Sequence, residues 1–560
     1  MTATVAGSAA VALPARDLIA LCEGALADVR AHVAAAHRNL AAAVAPEGRL
    51  DRMRLHEHQF AAHGYAWTAA YGQALAALLG WAEGLEEGSR LGELERLILQ
   101  AGFGGYLAQL AHGIAMSQDE VVRPGDLGLE PGATLADPAT LRLVAVGNSV
   151  GLRLAIAALL REGGAFGDTG LDGEHAMMRA EFRRFADAKV VPHAQDWHRQ
   201  DALIPLELIE EMAALGVFGV TVPVEWGGLG LDKVAMCVVT EELCRGYLTV
   251  GSLSTRSDIA AELIDKAGTP GQKQRWLAAI AAGKVLPAAA FTEPDVGSDL
   301  ASVRTRATRD GAGWRISGAK TWSTHAARAD MLTLLARTGA QEDGFRGISM
   351  FLVEKPRGTV DDPFPAAGMS GTEIPVLGYR GMKDYEIAFD GYAQPREALL
   401  GEVEGEGFRQ LMTTFETARI QTGARAIGVA QSALELGLEY AMQRRQFGRP
   451  IADYQRIAGK LGWAAVEVMT VRQLVHHAAR EKNSGRRCDI VAGMAKLVGA
   501  RVAWSAADNA VQIHGGNGYA EEYPVSRVRC DARILNIFEG AAEIQADIIA
   551  RGLLGREGAN

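Results

Sequence analysis

The chain has 560 residues, 48% of them apolar and 22% charged, an ordinary composition for a soluble globular protein with room for three or four well-filled domains. Its 57 basic and 67 acidic residues leave a net charge of −10, which weighs against nucleic acid or an anionic membrane as the main partner. Five cysteines (Cys22, Cys237, Cys244, Cys488 and Cys530) are scattered without a C-x-x-C, which argues against a disulfide framework or a zinc site and fits a reducing cytoplasm.

The N-terminus, "MTATVAGSAAVALPARDLIALCEG", has no basic n-region, and Asp17 and Glu23 follow soon, so no signal peptide is expected. No segment offers about 20 uncharged apolar residues, so no membrane-spanning helix is expected either. Residues 15–120 are Ala- and Leu-rich with helical periodicity, and "AAHGYAWTAAYGQALAALLGWAEGL" is the strongest amphipathic helix. Pro and Gly break the pattern over 121–138, which reads as a loop. A further helix is predicted over "ATLRLVAVGNSVGLRLAIAALLREG", then a Gly-rich linker over 163–175. Residues 1–165 are therefore expected to form a helical extension. The helical period resumes over 174–284. Near Val285 the texture changes: "VRTRATRDGAGWRISGAKTWST" alternates around Asp310-Gly311, a hairpin signal, and "MLTLLART", "GISMFLVEK" and "YEIAFDGY" read as short strands. Residues 285–400 are the expected β-domain. Helical runs return over 401–556, broken near "NSGRRCD" and "HGGNGYAEEYP".

Five stretches carry candidate chemistry. "FTEPDVGSD" (Phe291–Asp299) offers the hydroxyls of Thr292 and Ser298 and a glycine, Gly297, that lets a ligand approach the backbone. In "KTWSTH" (Lys320–His325), Trp322 can stack on a planar ring and Thr324 can donate to a ring nitrogen, although a strand Trp is more often packing. "YAMQRRQFGRPIADYQ" gathers Arg444, Arg445 and Arg449 around Phe447, either a solvated charged face or a phosphate-binding set. "QIHGGNGYAEEYP" sets glycines beside Gln512 without the order of a dinucleotide fingerprint. "ILNIFEGAAEIQ" places a lone carboxylate, Glu539, after an apolar run and before Gly540, where a buried acid needs a partner or a job.

Together the motifs T-E-P-x-x-G-S-D, K-x-W-x-T, R-x-x-F-G, G-G-N-G-Y-x-x-E-Y-P and E-G, in this order, closely resemble the acyl-CoA dehydrogenase family from about Glu174 to Leu554. The resemblance implies an α+β fold of that type: a helical domain, a β-barrel-like middle domain and a C-terminal four-helix bundle, preceded here by an extra all-α N-terminal domain. It implies FAD as cofactor, an acyl-CoA as substrate and electron-transfer flavoprotein as acceptor. Phe291, Thr292, Gly297, Ser298, Trp322, Ser323 and Thr324 are then expected at the flavin, with Ser298 also at the acyl-CoA entrance. Arg444, Phe447, Gln512, Gly515 and Gly516 would hold the FAD of a neighbouring subunit, and Ala541 and Glu543 would also lie near FAD. Glu416 and Arg419 match the helix segment expected near the CoA. Glu539 matches the catalytic base, which takes a thioester α-proton best when dry and close, with Gly540 leaving room for the thioester. Some relatives carry the base just before the helix Arg, where this chain has Ala418. Ala541 replaces a usual Thr, and His325 a common Asn.

The extension, with "STRSDIAAELI" and "LGYRGMKDYEIAFDGY", is similar to the branch of the family that oxidises methylsuccinyl-CoA to mesaconyl-CoA in the ethylmalonyl-CoA pathway. Such a substrate carries a second carboxylate, for which Arg256 is the expected cation, with Ser252 one turn before it and Tyr379 as a lesser candidate. The competing expectation is an Arg256–Glu262 ion pair. The extension also resembles the extra helical domain of larger family members that covers a tetramer face, which implies a homodimer. The alternatives are another short- or branched-chain acyl-CoA dehydrogenase, an acyl-CoA oxidase, and a DNA-binding alkylation-response protein of the same fold; the acidic charge speaks against the last.

Overall fold

The computed structural model describes residues 12–117, 120–130, 132–163, 166–311 and 313–555. The first eleven residues, on which the expectation of no leader partly rests, lie outside that set, as do Ala312 in the predicted hairpin and Gly164 and Ala165 of the predicted linker. The chain divides into two compact units, one made of residues 1–177 and 422–560, the other of 178–421.

The first unit opens with α1 (Ala15–Val44), α2 (Arg52–Glu57), α3 (Gln59–Glu87) and α4 (Glu93–His112). A minimal strand pair follows, β1 (Ile114–Ala115) with β2 (Val121–Val122), and then α5 (Pro138–Gly147) and α6 (Val150–Gly163). The single helix predicted over 139–163 is thus two helices bent by 58°. The break has a local cause. Gly147 lies against the backbone of Gly104, and Asn148 Nδ2 donates to the Gly104 carbonyl at 2.6 Å, so the chain turns to keep that close approach. The predicted linker is also more ordered than its glycines suggest. Arg90 pairs with Asp168 at 2.5 Å, Trp81 Nε1 donates to the Asp168 carbonyl and Gln473 to that of Thr169, and α7 (Gly173–Lys189) already starts inside it.

In the second unit, α8 (Val191–Arg199), α9 (Leu206–Ala214), α10 (Lys233–Gly246), α11 (Leu248–Ala267) and α12 (Pro270–Ala281) precede a seven-stranded sheet. Its strands are β3 (Pro287–Ala290), β4 (Arg306–Asp310), β5 (Gly313–Lys320), β6 (Met331–Arg337), β7 (Ile348–Glu354), β8 (Met369–Ile374) and β9 (Asp384–Pro395). β4 and β5 form the predicted hairpin. On one side β6 pairs antiparallel with β7; on the other it pairs in parallel with β3 and, at Arg337, with β4. This change of neighbour makes the sheet curl. β6 and β7 are buried on both faces, with Met331, Leu335, Met350 and Leu352 packed toward α11 and α12 and Leu332, Leu334, Phe351 and Val353 toward Trp314, Ile387 and Phe389. A strand covered on both sides reads as a continuous apolar run, which is why "MLTLLA" shows no alternation. β3 and β8 escape the sequence reading because "PAAA" and "MSGTEI" are poor in the β-branched and aromatic residues that mark strands.

The long α13 (Gly407–Gln443) supplies residues to both units. The short hairpin of β10 (Arg445–Gln446) and β11 (Arg449–Pro450) follows, then α14 (Gln455–Asn483), α15 (Asp489–His514), α16 (Pro524–Ile534) and α17 (Ala542–Leu554). These helices are the partners of the extension. Trp463 fills the notch above Gly105, Arg501 pairs with Glu467 at 2.5 Å beneath the stacked Tyr71 and Tyr106, and Arg161 reaches Asp453. By length and composition the stretch Asp489–Tyr519 could cross a bilayer, but most of its apolar window is buried against its own unit, as expected for a core helix.

Candidate active site

In the second unit the loop Phe291–Asp299 and the segment Lys320–His325 are fastened to each other. Lys320, wholly buried at the end of β5, donates to Glu293 Oε1 at 2.9 Å and to the Phe291 carbonyl at 3.0 Å, and the Thr321 amide donates to the Thr292 carbonyl. Glu293 also accepts the amides of Arg304 and Thr305. Burial pushes the Lys320 amine down to about 8, against the pull of Glu293. Burial opposes the Glu293 charge too, but Lys320 and the amides outweigh it and hold the carboxyl below its ordinary value. Thr292 and Phe291 are half-buried, while Gly297 and Ser298 are exposed at the loop tip, where a Cβ on Gly297 would meet nothing.

Two residues of the second segment have left-handed backbone, Trp322 (φ 55°) and His325 (φ 66°). Trp322 is thereby turned out, 58% exposed, while Ser323 and Thr324 are buried. The Ser323 hydroxyl has no partner among the described residues. The Thr324 hydroxyl donates to Asp384 Oδ1 at 2.5 Å, so as placed it offers lone pairs rather than a proton to a neighbouring ring. Burial raises the Asp384 carboxyl, which Thr324 and Arg256 partly offset. His325 is driven down to about 3, by burial first and then by Arg256, Arg328, Arg357 and Lys355, and is therefore neutral.

Arg256 on α11 lies next to this segment. It donates to the Ser252 carbonyl at 3.1 Å, to Tyr379 Oη at 3.2 Å and to the Thr324 carbonyl at 3.5 Å. Among the described residues no carboxylate lies within ion-pair distance of it. The competing partner Glu262 pairs instead with Lys233 at 3.2 Å. Ser252 itself is fully buried, and its hydroxyl donates to the Leu248 carbonyl, so its link to Arg256 is through the backbone. Tyr379 is buried, with φ at 61°. Glu416 and Arg419 follow one turn apart on α13, half-buried and buried, with Arg419 over the Phe415 ring.

In the first unit Arg444 and Phe447 sit on the exposed β10–β11 hairpin, and Phe447 is 94% exposed with φ at 50°. Gln512, Gly515 and Gly516 are exposed at the end of α15, with open space where either glycine would carry a side chain. Asn517 joins the two regions by donating to Tyr440 Oη at 3.0 Å, while His514 stacks on the Tyr440 ring.

Glu539 follows α16 in an irregular turn, with φ at 54° and Gly540 at 89°. Its carboxylate is not lone, as the sequence had suggested, and about a quarter of the side chain is exposed. Arg425 Nη2 donates to Oε1 at 2.5 Å and the Thr422 hydroxyl to Oε2 at 2.7 Å. The Gly540 carbonyl accepts from Lys496 at 2.6 Å, and a Cβ on Gly540 would lie 2.2 Å from the Gln545 amide nitrogen. What the glycine visibly makes room for is therefore Gln545. Ala541 is the N-cap of α17 and offers no capping side chain; Glu543 stands exposed in the first turn, where its charge suits the helix dipole.

Sequence reasoning did not assign roles to Glu293, Lys320, Asp384, Thr422, Arg425, Lys496 or Gln545. The available signal was charge set in apolar context: Lys320 closing a strand, Arg425 within "TGARAIGVA" and Lys496 within "AGMAKLVGA".

Residues 172–284, 288–392 and 405–554 match, in turn, the N-terminal, middle and C-terminal domains of acyl-CoA dehydrogenase. The chain belongs to the acyl-CoA dehydrogenase family. It is an FAD-dependent oxidoreductase acting on an acyl-CoA. Over 541 residues, 96% of the chain and 98% of the relative, it is 56% identical to (2S)-methylsuccinyl-CoA dehydrogenase of Cereibacter sphaeroides. The butyryl-CoA dehydrogenase structure from Megasphaera elsdenii superposes with a TM-score of 0.65 at 31% identity, covering 69% of this chain and 99% of that one. A chain in the structure of the electron transferring flavoprotein of Acidaminococcus fermentans matches with a TM-score of 0.64 at 31% identity, over 68% of this chain and 98% of that one. The residues present suit the family's FAD: an outward indole, a buried hydroxyl with unused capacity at Ser323, and glycines with open space.

Lys320→Met leaves Glu293 buried without its cation, a change that typically costs about 3–5 kcal/mol. Chemical denaturation of the purified variant should show a loss of that size, together with reduced FAD content by absorbance.

Proposed function

We propose that this dehydrogenase converts (2S)-methylsuccinyl-CoA to mesaconyl-CoA, a step of the ethylmalonyl-CoA pathway, in the cytoplasm, and passes its electrons to an electron-transfer flavoprotein. The observation that carries the substrate is Arg256, a half-buried guanidinium whose contacts are neutral oxygens only. A cation in such a place wants an anion, and the distal carboxylate of a dicarboxylic acyl chain is one. Its contact with Thr324 sets it beside the segment that the family places at the flavin. The extended similarity to the Cereibacter enzyme, which includes most of the extension, supports the same reading.

In this reading Glu539 is the base. Its carboxylate takes the proton from the α-carbon of the thioester, and the C–H electron pair becomes the new α,β double bond. FAD, when bound, accepts the β-hydrogen as hydride. Trp322 and Thr324 would face the flavin, and Arg444, Phe447, Gln512, Gly515 and Gly516 would grip the FAD of a second subunit. That role gives a reason for an almost fully exposed phenylalanine on a hairpin tip. The extension packs along α14 and α15, which favours a homodimer over a tetramer.

Arg256→Leu should lower kcat/KM for methylsuccinyl-CoA far more than for butyryl-CoA; equal loss on both would remove Arg256 from substrate recognition. Glu539→Gln should keep the yellow colour and slow flavin bleaching by about 10²–10⁴-fold, the usual share of general-base catalysis. Light scattering of the holoenzyme should report a dimer, and a tetramer would count against the role given to the extension.

A further inference from the structure

We propose that the N-terminal extension and the C-terminal helices enclose a second small-molecule site, built on Arg153 and Trp463, that takes a carboxylate with a flat apolar body. It lies wholly within the first unit and shares no residue with the family motifs. The pocket has a volume of about 430 Å³, inside the usual range for small-molecule sites. Ala108, Gln109 and His112 come from α4, Arg153 from α6 and Trp463 from α14.

Two glycines set the walls. A Cβ on Gly105 would overlap the Trp463 ring, and one on Gly462 would overlap the Arg153 carbonyl, so α4 and α6 both close in on α14 at the pocket. The half-buried guanidinium of Arg153 lies over the Trp463 ring at 5.3 Å. Stacking fixes the plane of a guanidinium and leaves its N–H edge uncommitted. Among the described residues no carboxylate or carbonyl holds that edge, and Nε is buried without a partner. Arg161, about two turns further along the same helix, is by contrast paired with Asp453 at 2.9 Å. A half-buried cation with no counter-ion is short of an anion.

The rest of the lining says which anion. Among the described residues neither Asp nor Glu lines the pocket, so nothing there repels a negative charge. Asn148, also at the wall, spends its Nδ2 on the Gly104 and Val144 carbonyls, and Gln109 Oε1 accepts from Tyr71 Oη at 3.0 Å. Gln109 Nε2 makes only a long bond, 3.5 Å, to the Gly105 carbonyl, which leaves it as a second donor beside Arg153. The fork of a guanidinium matches the two oxygens of a carboxylate. Trp463 and Ala108 form the apolar remainder, which suits a flat hydrocarbon body. A bare phosphate would use the fork and leave that wall wet.

The test is calorimetric titration of the full-length holoenzyme with benzoate, with acetate and inorganic phosphate as further arms. Benzoate should bind with a Kd of about 1 mM or tighter. Acetate, which lacks the apolar body, and phosphate should bind at least about tenfold more weakly. Arg153→Gln should weaken benzoate by at least about tenfold, the size of a lost charged hydrogen bond. Ala108→Phe fills the pocket and should abolish the same binding; it decides the matter if Arg153→Gln does not fold. The binding lost in those variants should persist in Arg256→Leu, which separates this pocket from the substrate site. No measurable benzoate binding, binding undiminished in folded Arg153→Gln or Ala108→Phe, or its loss in folded Arg256→Leu overturns the proposal. Equal affinity for phosphate and benzoate overturns it as well, since the site would then read charge alone.

Discussion

A buried cation is costly unless it is paired or hydrogen-bonded, and in this chain several of the groups that meet buried cations lie on loops. Lys320 holds the Phe291–Asp299 loop through Glu293 and the Phe291 carbonyl. Arg337 gathers the carbonyls of Ala301, Val303, Ala340 and Gly344 from two separate loops. Lys496 and Arg425 fix Gly540 and Glu539. None of these four cations has measurable exposure. Loops are ordinarily the mobile part of a fold, and two of these, Phe291–Asp299 and the turn at Glu539, carry residues of the family motifs. Anchoring each to a charge inside a helix or at a strand end gives a loop the precision of the scaffold. This also explains why the relevant cations lie in apolar stretches: the anchor has to come from the core side.

The backbone is strained at several of the same places. Among the described residues ten that are not glycine have left-handed φ, and Trp322, Tyr379, Phe447 and Glu539 are among them, with His325 and Lys383 joined by a hydrogen bond beside the first two. A bulky residue in that region costs of order 1–3 kcal/mol and persists only where its surroundings over-determine it. At Trp322 the over-determination is visible: Thr321 is tied to Thr292 before it, and Ser323 to Tyr385 after it. The indole is thus presented outward by its neighbours rather than by its own preference. At Glu539 the carbonyl is held by Gln545 and the carboxylate by Arg425.

The family motifs, the hairpin at Asp310-Gly311, the strands β6, β7 and β9 and most long helices were legible because each is a local signal of spacing or period. What stayed hidden was pairing at a distance. Glu293 and Lys320 were both in view as motif letters, but a separation of 27 positions conceals that one neutralises the other. Glu539 looked solitary because its partners are 114 and 117 positions upstream. The bend between α5 and α6 depends on Gly104, 43 residues before Gly147 and on another helix. The Gly-rich stretch before α7 read as free linker because nothing in its own composition announces Arg90, Trp81 and Gln473. Periodicity reports what a residue does for its own element, and these residues act for others.

Arg256 and Arg425 show how far the meaning of a charged residue depends on its counter-ion. Both are arginines on long helices, both lie beside an aromatic ring, and both touch a residue singled out by the motifs. Arg425 faces a carboxylate of its own chain, so its charge is spent on organising that acid. Arg256 faces carbonyls and a phenol, which orient a guanidinium without neutralising it. An oriented, unneutralised cation discriminates between ligands that bring an anion and ligands that do not, because only the former relieve its desolvation. A neutralised one cannot discriminate in that way, since a second anion would have to displace the first. On these grounds the proposed reading gives substrate choice to Arg256, whereas Arg425 serves to hold Glu539. The buried His325 is neutral, so it adds nothing to the field of Arg256.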